Sequence, residues 1–240
     1  MTCAGVIAYP CPIIKRTEIP RACDYSSMAF VLFGLTGGLA CGKSSVAARW
    51  RSRGLAVIDA DQLAREVVAN GSDGLREVEL AFGPDALTGS GELDRQWLAR
   101  RVFADPEVRQ RLEAITHPRI TDAANARADD LARKGEPLAC YEATLIVERG
   151  RADLYRPLVV VSAREDIQIA RAVARSGMSE DDARARQRAQ LPIDRKVALA
   201  DWVIENNGEM AALIARADQV LDEICRAAGV DPGRYPAPPV

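Results

Sequence analysis

Short apolar runs alternate with longer amphipathic stretches along this chain from Phe30 onward. The apolar runs predict strands at residues 30–35, 55–59, 138–142, 158–162 and 202–204. Such runs, when helical stretches separate them, are typical of a parallel sheet with helices on both faces. The pattern therefore predicts an α/β fold over residues 29–230, a three-layer α/β/α domain around a five-stranded parallel sheet.

Two long helical intervals interrupt this alternation. Residues 62–134 are too long for one crossover, and turn signals break them at Asn70-Gly71, Gly83-Pro84 and Gly89-Ser90-Gly91. We expect them to form a helical substrate-binding insertion in the sheet. Residues 164–196 predict an arginine-rich helical hairpin that we expect to act as a lid, and Ser179 with Asp182 predicts the start of its second helix.

The two ends of the chain differ from this middle part. Residues 1–28 hold an apolar stretch that Pro10 and Pro12 interrupt, so we expect a disordered extension, and Met28 offers an alternative start. A final helix at 210–228 presents one apolar face, formed by Leu213, Ala217, Val220, Leu221 and Ile224. The proline-rich residues 231–240 that follow it are expected to be a disordered tail.

A glycine-rich loop follows the first predicted strand. Residues 37–44 read GGLACGKS and match the pattern G-x-x-x-x-G-K-[ST]. In such a loop backbone N–H groups surround phosphate oxygens, the lysine, here Lys43, reaches the β and γ phosphates, and the hydroxyl, here of Ser44, ligates Mg²⁺. A helix predicted at 43–53 turns its N-terminus toward the anion. The loop predicts a nucleoside triphosphate with Mg²⁺; the alternative is a glycine-rich turn with an incidental lysine.

Two carboxylates end the second predicted strand. Asp59 and Asp61 reach the carboxyl edge of the sheet, where open α/β folds bind ligands, and they share one side if the strand continues. We expect Asp61 to act as a general base and Asp59 to support it or to hold Mg²⁺. The alternative for Asp61 is an N-cap of the following helix.

The predicted lid carries arginines on both of its helices, at positions 164, 171, 175, 184, 186 and 188. Guanidinium groups near a phosphate loop neutralise charge on a transferring phosphoryl group, and closure of a lid excludes water. The alternative is a solvated face of an arginine-rich hairpin.

Composition narrows the class of partner. The 240 residues contain 32 basic and 34 acidic side chains, and no apolar run approaches the roughly 20 residues of a membrane span, so we expect neither a nucleic acid nor a membrane as partner. Six cysteines without disulfide or zinc spacing indicate a cytoplasmic protein. Cys41 is interpreted as a small residue within the loop. The single histidine, His117, either contacts substrate or is structural.

These residues together resemble the dephospho-coenzyme A kinase family over nearly everything from Phe30 to Ala228. The resemblance lies in Gly34-Leu35-Thr36-Gly37-Gly38 with Gly42-Lys43-Ser44, in residues 57–61 followed by Ala64-Arg65, and in Leu93-Asp94-Arg95. It continues in His117-Pro118-Arg119-Ile120, in Gln168 with Arg171 and Arg175, in Arg186 with Gln190, and in Asn206-Asn207-Gly208.

The resemblance implies transfer of the γ-phosphate of ATP to the ribose 3′-hydroxyl of dephospho-coenzyme A, the final step of coenzyme A biosynthesis. It implies catalytic roles for Asp61, Lys43, Arg175 and Arg186, and acceptor contacts for Thr36, Asp61, Arg65, Arg95 and His117. ATP would be held by Gly38, Ala40, Cys41, Gly42, Lys43, Ser44, Ser45 and Asn206, and Mg²⁺ by Ser44 and Asp59. We expect a monomer or weak homo-oligomer.

The chain departs from the family pattern at three places. Cys41 stands where serine is common, Ser176 where an acidic residue or asparagine is common, and residues 144–148 where a Pro-Leu-Leu-aromatic-Glu segment is common. Two alternatives stay open: another small-molecule kinase of the same fold, and a nucleotide-dependent switch. A switch would need a guanine-reading Asn-Lys-x-Asp or a second signature lysine early in the phosphate loop, and the chain has Asn206-Asn207-Gly208 and Thr36 instead.

Overall fold

A computed structural model describes residues 30–238 of the chain, so the extension predicted for residues 1–28 lies outside the described part. The sheet has five parallel strands in the order β2-β3-β1-β4-β5. These are β1 Val31–Gly37, β2 Ala56–Asp59, β3 Leu138–Glu142, β4 Leu158–Ser162 and β5 Trp202–Glu205. The predicted five-stranded parallel sheet is confirmed, and β1 continues two residues further than expected, into the phosphate loop.

Helices connect the strands and cover the sheet. They are α1 Lys43–Ser52, α2 Ala60–Glu66, α3 Asp73–Phe82, α4 Arg95–Ala104, α5 Pro106–Arg133, α6 Glu165–Ser176, α7 Glu180–Arg188, α8 Ile193–Val197 and α9 Met210–Ala227. Short 3₁₀ turns lie at Pro84–Ala86, Ala152–Leu154 and Pro232–Arg234. Within the described residues no helix is both long enough and apolar enough to cross a bilayer.

The core has one layer on each face of the sheet. On one face α1 and α9 pack against β1, where the Phe33 and Trp50 rings meet edge to face with 5.5 Å between centroids. The Trp50 indole N–H donates to the Ala217 carbonyl at 2.9 Å, so the largest buried side chain also ties the two helices together. On the other face α2, α5 and α8 pack against the sheet, which gives the predicted three layers.

The interval predicted as a substrate lobe contains α2 to α5 and has a small apolar core of its own around Val78. Its helices begin where short polar side chains accept from first-turn N–H groups: Ser72, Asp94 and Asp105 cap α3, α4 and α5. In the predicted lid, Ser179 caps α7 by accepting from the Asp182 N–H at 3.1 Å, as its sequence signal predicts. What the lobe and the lid do remains a prediction at this point.

The expectation of a disordered tail from residue 231 is wrong for residues 231–238. A 3₁₀ turn at Pro232–Arg234 leads to Tyr235, which is 1% exposed. The Tyr235 carbonyl accepts from Arg53 Nε at 2.8 Å, and the Pro238 carbonyl accepts from Arg49 Nη2 at 2.8 Å. Prolines fix the backbone and lower the entropy lost on ordering, so donors from α1 and its C-cap are enough to hold the segment.

Tyr235→Ala is expected to lower the free energy of unfolding by about 3 kcal/mol, because it empties a buried aromatic site. For a domain of this size that corresponds to a fall in Tm of roughly 6 °C or more. Thermal unfolding followed by circular dichroism measures it. The matched control is Arg234→Ala, at an exposed neighbouring position. A Tm of Tyr235→Ala equal to that of the unmodified protein would show that burial of this side chain does not contribute to stability.

Candidate active site

The phosphate loop links the end of β1 to the start of α1. Gly42 has a φ of +93°, and a Cβ there would lie 2.3 Å from Asn206 Nδ2, so only glycine fits. In the described part of the chain, no side chain caps the N-terminus of α1. The first-turn N–H groups and the positive end of the helix dipole are therefore available to a phosphate.

Lys43 is held in place by a buried carboxylate. Its Nζ donates to Glu142 Oε1 at 2.8 Å, and Glu142 is only 3% exposed. Arg51 donates to the other Glu142 oxygen at 3.2 Å and lies 3.8 Å from Asp59 Oδ2. Two cations and two carboxylates thus meet at the carboxyl ends of β2 and β3, beside the loop.

Glu142 is a site residue that the sequence analysis missed. It is the last residue of β3 and pairs in register with Asp59 of β2 and Leu35 of β1. A charged residue at the end of an otherwise apolar strand, next to the strand that leads into the phosphate loop, is a signal that could have found it. Its position makes it a partner for a cation at this edge.

Asp59, rather than Asp61, caps α2. Asp59 Oδ1 accepts from the Asp61 N–H at 2.8 Å and from the Gln62 N–H at 3.1 Å. The alternative that made Asp61 the cap is therefore wrong. The strand does not continue to Asp61, because β2 ends at Asp59 and the helix begins at once, so the spacing along a strand does not apply to this pair; both residues nevertheless line one cavity. Capping leaves the exposed Asp61 carboxylate available for chemistry.

Two adjoining cavities open at this edge of the sheet. The larger, about 1000 Å³, is lined by the phosphate loop, α2 and the lid; the smaller, about 350 Å³, lies between α2, α5 and the segment after β3. Asp61, Thr144 and Gln190 line both cavities. Asp61 therefore lies at the junction of the two cavities, where a ligand in one cavity would meet a ligand in the other.

Most residues predicted for the site line the larger cavity. They are Gly38, Ala40, Cys41, Gly42, Lys43, Ser44, Ser45, Asp59, Asp61, Arg65, Arg175 and Asn206. The fold brings them together from the loop, α1, α2, the lid and the end of β5, and their individual roles stay predictions.

Asn206 holds the phosphate loop from behind. It is 4% exposed, its Nδ2 donates to the Cys41 carbonyl at 2.8 Å, and its own carbonyl accepts from Arg171 Nη1 at 3.0 Å. Burial raises the pKa of the Cys41 thiol, so this cysteine stays protonated and is a poor nucleophile. Cys41 thus fits the interpretation of a small residue that the loop can accommodate.

His117 lines the smaller cavity with its Nε2 2.7 Å from Arg149 Nη2. Burial and then the charge of Arg149 lower the pKa of His117, so its ring is neutral at neutral pH and can accept from the guanidinium. Tyr141 and Tyr155 stack in the same cavity with 4.2 Å between ring centroids. Burial raises the pKa of both phenols, so the cavity combines neutral aromatic surface with the cations Arg149 and Arg151.

Three predicted site residues line neither cavity. Thr36 is fully buried, and its hydroxyl donates to the Thr144 carbonyl at 3.0 Å, so it supports the cavity wall from inside. Arg95 is the first residue of α4 and is exposed, away from both cavities. Arg186 is exposed on α7. Arg95 and Arg186 lie on helices of the predicted lobe and lid, as the sequence predicts. The sequence could not predict the direction of their side chains.

Known proteins that are similar to this chain identify its family. The sequence profile described as Dephospho-CoA kinase matches residues 31–212. The chain belongs to the dephospho-CoA kinase family. A dephospho-CoA kinase of Anaeromyxobacter dehalogenans is 46% identical over 210 residues, 87% of this chain and 98% of the relative. One of Geobacter sulfurreducens is 43% identical over 189 residues, 79% of this chain and 96% of the relative.

Two solved structures are similar to this chain, and one of them is a dephospho-CoA kinase. A crystal structure of a Thermus thermophilus protein superposes with a TM-score of 0.68 at 37% identity, covering 81% of this chain and 98% of the other. A dephospho-CoA kinase of Campylobacter jejuni superposes with a TM-score of 0.60 at 26% identity, covering 82% of this chain and 98% of the other. A dephospho-CoA kinase is a phosphotransferase, so the nucleotide-dependent switch is no longer a competing interpretation.

Proposed function

We propose that this dephospho-CoA kinase transfers the γ-phosphoryl group of ATP to the ribose 3′-hydroxyl of dephospho-coenzyme A and so produces coenzyme A. The observation that carries the proposal is the position of Asp61, which lines both the cavity of the phosphate loop and the cavity beside it. A base at that junction is where an acceptor hydroxyl and a γ-phosphate would meet.

ATP occupies the larger cavity in this proposal. The loop amides and the N-terminus of α1 bind phosphate oxygens, and Lys43 moves its ammonium from Glu142 to the β and γ oxygens. Glu142 keeps the lysine extended toward the loop before ATP arrives, which lowers the cost of ordering that long side chain on binding.

The chemistry of the donors fits Mg²⁺. The Ser44 hydroxyl and the Asp59 carboxylate line the same cavity and are hard oxygen donors. Mg²⁺ in phosphoryl-transfer sites takes one or two protein oxygens and completes its shell with water and phosphate, so a larger cluster of protein ligands is not needed. When bound, Mg²⁺ would neutralise charge on the phosphate oxygens.

Dephospho-coenzyme A occupies the smaller cavity in this proposal. Arg149 and Arg151 suit its diphosphate, and the stacked tyrosines offer apolar surface to the rest of the molecule. The hydroxyl proton passes to the Asp61 carboxylate while the hydroxyl oxygen forms a bond to the γ phosphorus. The bond from that phosphorus to the β–γ bridging oxygen breaks, and ADP leaves with its electron pair.

Arg175→Ala is expected to lower kcat by about tenfold or more and to raise ATP hydrolysis without acceptor, because Arg175 brings positive charge into the larger cavity. Arg186→Ala is expected to act in the same direction only through closure of the lid, since Arg186 lines neither cavity. Steady-state assays with saturating acceptor measure both. The control is Arg188→Ala, which removes an exposed arginine in the last turn of α7 that lines neither cavity. Unchanged kcat in both test variants would assign these arginines to a solvated surface.

An ADP-release assay with Mg²⁺-ATP and a small panel of acceptors tests the proposed function. The panel contains dephospho-coenzyme A and its two halves, adenosine monophosphate and 4′-phosphopantetheine. We expect fast release with the whole acceptor and slow release with adenosine monophosphate, which keeps the ribose 3′-hydroxyl but lacks the contacts of the other half. We expect no release with 4′-phosphopantetheine, which has no ribose hydroxyl to accept a phosphoryl group. Equal rates with all three would contradict the acceptor assignment. A cytoplasmic location, a monomeric or weakly oligomeric state and the absence of nucleic-acid or membrane partners stay predictions.

A further inference from the structure

Lys196 of α8 is a buried cation that the proposed reaction does not use. Its side chain is fully inaccessible to solvent. Its ammonium lies 2.6 Å from Glu148 Oε1 and donates to the Thr144 carbonyl at 3.0 Å and to the Gly37 carbonyl at 3.2 Å. Three acceptors match the three N–H bonds of a lysine, so the charge is completely satisfied inside the protein.

These acceptors lie in two segments that border the candidate active site, the end of β1 and the segment after β3. Gly37 is the last residue of β1 and is the first residue of the phosphate loop. Thr144 lines both cavities, and we call the segment around it the wall between the cavities. Glu148 Oε1 also accepts from the Leu191 N–H at 3.2 Å, at the end of the lid hairpin. One ion pair therefore joins the loop, the wall between the cavities and the base of the lid.

Stability alone does not account for this pair. Buried ion pairs lose hydration, and well-packed apolar residues often replace them at no loss of stability. Glu148 Oε2 is moreover buried and has no hydrogen-bond partner among the residues that the structure describes, which is unfavourable. The ion pair therefore indicates that the fixed position of these groups matters more than the stability of the core.

We propose that Lys196, through Glu148 and the Gly37 and Thr144 carbonyls, is a positioning residue that couples the base of the lid to the phosphate loop and to the wall between the cavities. It touches neither cavity itself. Its effect is to align the acceptor oxygen, Asp61 and the γ-phosphate when the lid closes, and to keep water out. The inference rests on the proposed reaction.

The test measures coenzyme A formed per ADP released, which reports coupling rather than folding. Unmodified protein is expected to form about one coenzyme A per ADP. Lys196→Met is expected to lower kcat by about tenfold or more and the ratio to below about one half, because misaligned closure admits water. Lys196→Arg keeps the charge and is expected to recover part of the ratio. The control is Arg53→Met, which removes a cation that is 4% exposed and lines neither cavity. It is expected to lower Tm with the ratio unchanged.

If Lys196→Met does not fold, Thr36→Val is the variant that tests the positioning role. It removes the hydroxyl that donates to the same Thr144 carbonyl and keeps the shape of the side chain. We expect the ratio to fall in the same direction, by about twofold. A ratio that stays at one in every folded variant, while Tm falls, overturns the positioning role. If unmodified protein makes no coenzyme A at all, the proposed reaction fails instead, so the two failures are distinguishable.

Discussion

Lys43→Ala is expected to lower kcat by about 10² or more while the fold is retained. Charge grows on the β and γ phosphate oxygens in the transition state, and the lysine ammonium is the cation that the loop directs at them. The measurement is kcat with saturating ATP and dephospho-coenzyme A. The control is Lys134→Ala, which removes an exposed lysine at the C-cap of α5.

The structure adds a second expectation for this variant. Glu142 keeps Arg51 as a partner at 3.2 Å when Lys43 is removed, so the buried carboxylate is not left unpaired. We therefore expect a change in Tm of only a few degrees, measured by thermal unfolding. If the variant keeps more than about a tenth of the unmodified kcat, the loop is not catalytic in the sense proposed.

Asp61→Asn is expected to lower kcat by about 10² or more with KM for ATP little changed. A general base contributes rate enhancement of this size, and the amide keeps the shape of the carboxylate without accepting a proton. Because Asp61 does not cap α2, Tm should stay the same within the error of the measurement. Steady-state kinetics and thermal unfolding on the same preparation separate the two effects.

The matched control is Asp59→Asn on the neighbouring residue. Asp59 accepts from two N–H groups at the start of α2 and lines the larger cavity. Asparagine caps a helix about as well as aspartate, so this variant is expected to keep its Tm within a few degrees and to require more Mg²⁺ for half-maximal rate. The opposite result, in which Asp61→Asn loses stability and keeps its rate, would remove Asp61 as the base.

The sheet and the phosphate loop could be predicted from the sequence because their signals are local. Five apolar runs and one glycine-rich loop each fix a short segment, and the rules for parallel α/β sheets then bring their carboxyl ends to one edge. The gathering of loop, Asp61 and Asn206 at one cavity follows from those rules. Capping of α7 by Ser179 is local in the same way.

The remaining features depend on contacts between segments far apart in the chain. Glu142 acquires its significance from Lys43, 99 residues away. The tail is ordered by Arg53 and Arg49, and no property of residues 231–238 alone announces those donors. Arg186 sits on the predicted helix, but the direction of an exposed side chain is set by tertiary context and by ligand. Composition alone suggests disorder for the tail and a solvated charge for Arg186. Only contacts with the rest of the fold determine whether a segment is ordered and where a charged side chain points.

The most direct measurement of the central claim is the structure of the product. Unmodified protein, Mg²⁺-ATP and dephospho-coenzyme A are incubated together, and the product is analysed by phosphorus NMR and mass spectrometry. The account predicts one new phosphomonoester on the ribose 3′-oxygen and one ADP for each molecule formed. Release of ADP without that phosphomonoester, or phosphate attached at another position, would contradict it.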